Sequence, residues 1–418
     1  MMRSSLDKLK LGLGLAACAL ALSAAPVAAQ DRAADVDPEK KAYEPLGVGL
    51  GSFRAFPTLT IFGLYDDNVF NTNTNEESSF LFKFTPALAI QSDWNRHELK
   101  LTAAADIYDY TDASSENRTD FRTRLDGRID VSRPFRVLLN AGYEIRHEDR
   151  GSPDAVGGAA EPTQYDIVPL GIKFDYLAAR FGVQVEVGYS DFKWSDTKLV
   201  SLPSIDNSDR DHADLTATLK LRYEFSPGYR AFISATYLDR NYDLAFDRNG
   251  QNRDTTGAYY DVGVSFELSR LLTGEVFAGY SSFDFDDPAF ESASGFDYGA
   301  ALVWYPTELT TVRLDARRSF EASTLVDVGG VYTGLVQLSV DHELLRNVVI
   351  GAQLSFADEQ FEGSGRNDTV YGVRLNGEYK LNRNIAIGLR YQYWDRNSDI
   401  DVDSYSSNEV GVFLKLGL

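Results

Sequence analysis

The stretch Asp120-Phe121-Arg122-Thr123-Arg124-Leu125-Asp126-Gly127-Arg128-Ile129-Asp130-Val131 decides the fold. Phe121, Thr123, Leu125, Gly127, Ile129 and Val131 alternate without a break with six charged residues. In an extended strand, neighbouring side chains project to opposite faces, so this segment has one apolar or small face and one ladder of charges. A helix of period 3.6 would mix the two sets on every side.

The same alternation recurs along the chain from Phe56 to the end. Phe181, Val183, Val185, Val187 and Tyr189 oppose Arg180, Gln184, Glu186 and Ser190. Leu215, Ala217, Leu219, Leu221, Tyr223 and Phe225 oppose Asp214, Thr216, Thr218, Lys220, Arg222 and Glu224. Tyr260, Val262, Val264, Phe266 and Leu268 oppose Asp261, Ser265 and Glu267, and Tyr371, Val373, Leu375 and Tyr379 oppose Arg374, Asn376, Glu378 and Lys380. Between such segments, connections are short near 93–96, 133–134, 178–179, 226–228, 269–272, 306–308, 343–346 and 382–384. They are long and polar near 66–79, 111–118, 148–162, 195–208, 241–253, 286–293, 321–327, 362–367 and 396–405. Short turns at one end and long loops at the other characterise transmembrane barrels.

The expected fold is all-β: an antiparallel up-and-down transmembrane barrel of about 18 strands (16–18), with both termini periplasmic. A β-sandwich uses strands about half as long. A soluble barrel turns its apolar face inward, which suits about eight strands, because a wider lumen cannot be filled by side chains. With so many strands the apolar face must look outward, into lipid. Trp94 and Trp304 fall at short turns, and Trp194 and Trp394 fall where strands run into long loops. These four are the expected interfacial aromatic belt, with ordinary strand-end packing as the alternative.

The chain has 418 residues, Lys+Arg 41 against Asp+Glu 62, and a net charge of −21. That sign disfavours nucleic acid as a partner. The 23 Tyr and 25 Phe are too many for disorder along the whole chain. Cys18 is the single cysteine, and Met1 and Met2 are the two methionines, so the body has no thiol for catalysis, metal binding or disulfides. Arg3, Lys8 and Lys10 precede an apolar run from Leu11, and Val27-Ala28-Ala29 offers a small-residue cleavage site. Residues 1–29 thus read as a cleaved secretory signal, with a lipoprotein signal at Cys18 as the alternative. Residues 30–54 read as a periplasmic arm and 55–418 as the barrel. Only the leader is apolar enough to resemble a membrane helix. At the other end, Glu409, Gly411, Leu414 and Leu416 fit the frame of a barrel-assembly signal, although the last residue is Leu418 rather than an aromatic.

The run from Leu46 to Pro57, continuing through Tyr65-Asp66-Asp67-Asn68-Val69-Phe70, resembles the opening of the "putative β-barrel porin type 2" family of Gram-negative outer membranes. Thr85-Pro86 is similar to that family as well. The resemblance covers about forty residues and implies an outer-membrane barrel, some of whose relatives are encoded with exopolysaccharide or capsule machinery.

The polar face carries the candidate functional residues. Arg122, Arg124, Arg128, Arg136, Glu144, Glu186, Lys220, Arg222 and Glu224 are expected to line the interior. There they either set a field that sorts solutes by charge or pair among themselves and stabilise the wall. No single-sign filter is evident. His97, His147, His212 and His342 lack the Ser partner of a hydrolase and the spacing of a metal motif, so neither catalysis nor a cofactor is expected. The acidic clusters Asp284–Asp287 and Asp399–Asp403 lack the pattern of an EF-hand and read as solvated loop charge, with divalent cations bridging to lipopolysaccharide as the alternative. The leading expectation is a porin-like channel for small hydrophilic solutes or saccharide. A structural or assembly component of exopolysaccharide export is the alternative, and a lipid-modifying enzyme a third. A TonB-dependent receptor is not expected, since about twenty-five residues precede the first strand. Expected partners are outer-membrane lipid and lipopolysaccharide, the barrel-assembly machinery and polysaccharide-export proteins.

Overall fold

A computed structural model describes residues 43–418 except 201, 269 and 270. The signal segment 1–29 and the arm up to residue 42 lie outside the described residues. No helix among the described residues is long and apolar enough to cross a membrane.

The strands are β1 (Val48–Leu50), β2 (Phe53–Asp66), β3 (Ser79–Ser92), β4 (Glu98–Tyr110), β5 (Arg118–Asp130), β6 (Phe135–His147), β7 (Gln164–Ala178), β8 (Phe181–Trp194), β9 (His212–Ser226) and β10 (Tyr229–Tyr242). They continue as β11 (Thr255–Leu268), β12 (Leu272–Phe285), β13 (Ala293–Thr307), β14 (Thr310–Ala322), β15 (Gly330–Leu345), β16 (Val348–Glu362), β17 (Asn367–Lys380), β18 (Ile385–Ser398) and β19 (Tyr405–Gly417). Each of β2 to β19 pairs antiparallel with its neighbours in sequence, and β19 pairs with β2, so 18 strands close a barrel. The extra strand β1 is a short flap folded back on the start of β2.

Closure leaves no exposed sheet edge along most of the wall, and the ladder groups there find their partners within the wall. The closing joint is tight. A Cβ at Gly411 on β19 would collide with the carbonyl oxygen of Gly63 on β2. The eight short turns lie at one rim with both ends of the described chain, and the nine long connections lie at the other.

Register sets the size of the barrel. Followed once round the wall from Ile61, it returns to β2 displaced by about 22 residues. With about 4.8 Å between strands and about 3.4 Å per residue, that shear tilts the strands by about 40° and puts the backbone about 18 Å from the axis. Side chains reaching about 7 Å inward leave an axial space roughly 20 Å across, too wide for the wall to fill by itself.

The two faces differ as the alternation requires. Large apolar side chains such as Val183, Val185, Val187, Leu219, Leu221, Val262 and Leu354 are exposed on the outward face. An apolar surface running round the whole wall is far larger than soluble proteins tolerate and matches a bilayer.

Candidate functional site: the charged interior and the long-loop mouth

The charged face is the concave one. Lys220 on β9 contacts Glu275 on β12 at 2.6 Å across two intervening strands, passing 3.7 Å from the centre of the Phe232 ring on β10. Side chains three strands apart converge in this way only on the inner side of a curved sheet.

All nine residues expected to line the interior have inward parity, and each has a partner of opposite charge. Arg122 pairs with Asp106 at 2.9 Å, Arg124 with Asp126 at 2.8 Å and Arg128 with Glu98 at 2.8 Å. Arg136, at 3.3 Å, and Arg222 share Asp175. Glu144 accepts from Arg146 Nε at 2.6 Å, Glu186 meets Lys173 at 2.8 Å, and Glu224 meets Arg230 at 3.1 Å. Their arrangement is thus a mutually paired network. The partners Glu98, Asp106, Lys173, Asp175 and Glu275 did not figure among the sequence candidates. Each sits on the polar face of its strand, but only the register shows what it meets.

The four tryptophans divide. Trp94 and Trp304 are exposed at the short-turn rim, Trp94 edge-on to Phe53. Trp194 and Trp394 carry the parity of the charged face instead. Trp194 is stacked on Tyr165 at 4.4 Å, with the Arg210 guanidinium 3.5 Å from its ring centre. Trp394 lies against Gly372, where a Cβ would not fit. The pleat decides this: residue 194 follows Glu186 by an even number of positions, and 394 pairs with inward Gly372.

The histidines are engaged locally. His97 Nδ1 accepts from the Asp130 amide at 3.0 Å, and His147 Nδ1 lies 2.8 Å from Asp120. His212 is stacked on Phe192 with Nδ1 2.8 Å from the Arg210 carbonyl, and His342 Nδ1 is 3.0 Å from Thr310. Among the described residues no group of three or more His, Cys, Asp or Glu is placed to hold a metal. In the acidic loop clusters, Asp287 and Asp399 accept backbone N–H groups, and Asp403 pairs with Arg366.

The long-loop mouth is crossed by the β6–β7 connection, residues 148–163. At its root Glu148 pairs with Arg210 in a buried contact of 2.8 Å. Beside it, Asp149 faces Arg118 at 3.7 Å, and Arg150 forks onto Glu116 at 2.5 and 3.1 Å. Burial pushes the Glu148 and Asp149 carboxyls above the usual range, and Arg210 and Arg118 only partly oppose it. Gly151 backs onto Tyr405 of β19 with no room for a Cβ. Farther on, Asp154 accepts from Ser323 Oγ at 2.7 Å and from the Thr324 amide at 3.2 Å. Ser323 begins the β14–β15 connection, on the far side of the wall from β6 and β7. Other loops are tied as well: Arg253 donates to the Leu325 and Val328 carbonyls, and Arg248 to Asp209.

An apolar outside, a charged inside and strands long enough to span a bilayer define a membrane-spanning β-barrel. The chain belongs to the family described as putative beta-barrel porin 2, whose model matches residues 41–417, and its place is the bacterial outer membrane. No curated protein matches it. Among solved structures it is similar to the siderophore receptor PirA from Acinetobacter baumannii, at 6% identity and a TM-score of 0.44 over 87% of this chain and 80% of that one. It is also similar to Pseudomonas aeruginosa OpdL, at 12% identity and a TM-score of 0.43 over 88% and 99%. A third is Pseudomonas aeruginosa OccK3 (OpdO), at 12% identity and a TM-score of 0.44 over 88% and 96%.

Proposed function

We propose that the barrel is a passive porin-like channel that passes small hydrophilic solutes or saccharide through a charged lumen, without chemical turnover. The observation that carries this reading is the size of the closed wall. A backbone radius of about 18 Å leaves an interior that side chains cannot fill, and the inward face is polar. Long loops face outward and both termini face the periplasm, as in barrels whose short turns are periplasmic.

The paired lumen charges make the wall hydrophilic while contributing little net field, so it sorts solutes by size more than by sign. The 148–163 connection narrows the outer mouth and sets that size. The outward band contacts membrane lipid, and acidic loop tips lie where lipopolysaccharide begins. The β19 strand, which closes the barrel on β2, is the segment that assembly machinery would engage.

Planar-bilayer recording on the purified full chain tests the proposal. Discrete, stable conductance steps are expected. A folded barrel that inserts without any step refutes it and favours the alternative role as a structural component of exopolysaccharide export.

A further inference from the structure

The wall has one lapped seam. β12 pairs with β13 from Leu272–Trp304 up to Phe283–Ala293, and β14 pairs with β15 up to Ala322–Gly330. Between them, β13 and β14 pair only from Thr307–Thr310 to Gly299–Arg317. Residues 293–298 and 318–322 therefore run on toward the long-loop rim without forming a ladder with each other.

Side-chain parity shows how the seam is arranged. On β12, Val276 and Tyr280 are exposed and outward, so Phe283 is inward. On β14 and β15, Leu314 pairs with outward Leu338, and Phe320 pairs with Tyr332 on that same outward face. Yet the Phe283 and Phe320 rings stack at 4.2 Å, and Phe320 and Tyr332 are 4% and 2% exposed. Rings from opposite faces of a wall meet only if one edge slides behind the other. The rimward ends of β14 and β15 lean into the barrel, and their outer face covers the inner face of β12 and β13.

Arg318 closes the lap. Its Nη1 donates to the Phe296 carbonyl at 2.8 Å, taking an acceptor that a β14 amide would otherwise use. Its guanidinium lies 3.9 Å from the centre of the Tyr332 ring. A side chain thus replaces ladder hydrogen bonds at the level where Tyr280 and Phe296 are exposed to the membrane surface. A break between two strands is tolerated in a membrane only where protein or water covers it, and here the cover is the ring cluster of Phe283, Phe320 and Tyr332 together with Arg318.

We infer that the β13–β14 seam is a lateral gate joining the lumen mouth to the adjacent membrane leaflet, and that it admits a single-chain amphiphile with an anionic head, such as a long-chain carboxylate. The aromatic stack gives an acyl chain continuous apolar contact from inside to outside. Arg318, at the membrane-facing edge, can exchange its carbonyl partner for a carboxylate, a charge-assisted and stronger bond. A hydrophilic solute gains nothing from this route. The gate goes beyond the axial channel and does not require it.

Cys18 is the chain's single cysteine, so with Cys18 replaced by Ser the test is direct. Gly295→Cys and Ser319→Cys, which leave Arg318 in place, are bridged in the full chain with a bis-methanethiosulfonate linker that reductant reverses. Photoactivatable diazirine-hexadecanoate is added to vesicles containing the barrel, and labelled residues are mapped by mass spectrometry. In the unmodified protein, and in a Gly295→Cys control, inward Phe283 is expected to be labelled, as is outward Val336. In the bridged double variant, Phe283 labelling is lost and Val336 labelling persists. Substituting Arg318 alone by Gln weakens labelling by the carboxylate but not by diazirine-hexadecane. The inference is overturned if Phe283 is never labelled, if it is labelled equally when bridged, or if the bridge abolishes axial conductance together with labelling. Refolding is checked by reduction of the bridged sample, which must restore the open pattern.

Discussion

Ser323 Oγ donates to Asp154 Oδ1 at 2.7 Å, fastening the middle of the β6–β7 connection to the β14–β15 connection on the far side of the barrel. In the proposed channel, this tether across the mouth is what restricts entry. Asp154→Ala removes it, together with the bond from the Thr324 amide. The expected outcome is a larger or noisier single-channel conductance with the fold intact, and deletion of 149–160 enlarges the step further. Unchanged conductance in both variants contradicts a narrowing role for this loop.

The lumen network is balanced, so removing one member unbalances it. Asp175→Asn leaves Arg136 and Arg222 facing each other without their shared carboxylate. Reversal potentials in a salt gradient are expected to move toward anion preference, while the parent channel stays weakly selective. An unshifted reversal potential counts against these residues lining the conducting path.

The mouth should respond to pH through Asp149. Burial raises its pKa in the folded loop, with Arg118 opposing and Asp120 reinforcing. A carboxyl raised in this way binds its proton more readily when buried, so the buried loop position gains stability as pH falls below neutrality. Asp209 behaves oppositely. Burial alone would raise its pKa, but hydrogen bonds from Arg248 outweigh that and hold it low, so its tether weakens only as pH falls through the lower part of the carboxylate range. Closed dwell times should therefore lengthen as pH falls through the raised range in which Asp149 takes up its proton. Asp149→Asn should remove this dependence, and an identical pH profile in that variant refutes the assignment.

Tryptophan depth separates the two rims. In single-tryptophan variants, brominated lipid should quench Trp94 and Trp304 and leave Trp194 and Trp394 bright. Equal quenching of all four would mean that the parity of Trp194 and Trp394 is reversed.

Gly411→Val places a branched side chain against the Gly63 carbonyl at the closing joint. Overpacking there is expected to cost about 1–3 kcal/mol. The temperature at which the heat-modifiable, compact band is lost on a denaturing gel should fall accordingly.

Much of this architecture was legible in the chain. The alternation at Asp120–Val131 assigns the faces, and the unequal connections give the strand count and the two rims. The positions of Trp194 and Trp394 could have been read as well, because counting by twos from Glu186 or Arg390 reaches them on the charged face. Their closeness to strand ends suggested a belt instead. The pairing of Lys220 with Glu275 could not be read, since it depends on the curvature of a closed sheet rather than on any spacing. The Asp154 tether joins residues far apart in sequence that no periodicity connects. Phe320 alternates like any lipid-facing residue, and only the missing ladder beside it reveals that Phe283 of β12 covers its ring.

The central claim is that the charged face of the wall meets water and the apolar face meets lipid. A single-cysteine scan along β5, in a chain whose single cysteine, Cys18, is replaced by Ser, tests it most directly. Cysteines at 122, 124, 126 and 128 should react with a water-soluble, membrane-impermeant maleimide, and those at 121, 123, 125 and 129 should react only once the bilayer is dissolved. Reactivity that runs the other way, or that does not alternate, contradicts the account.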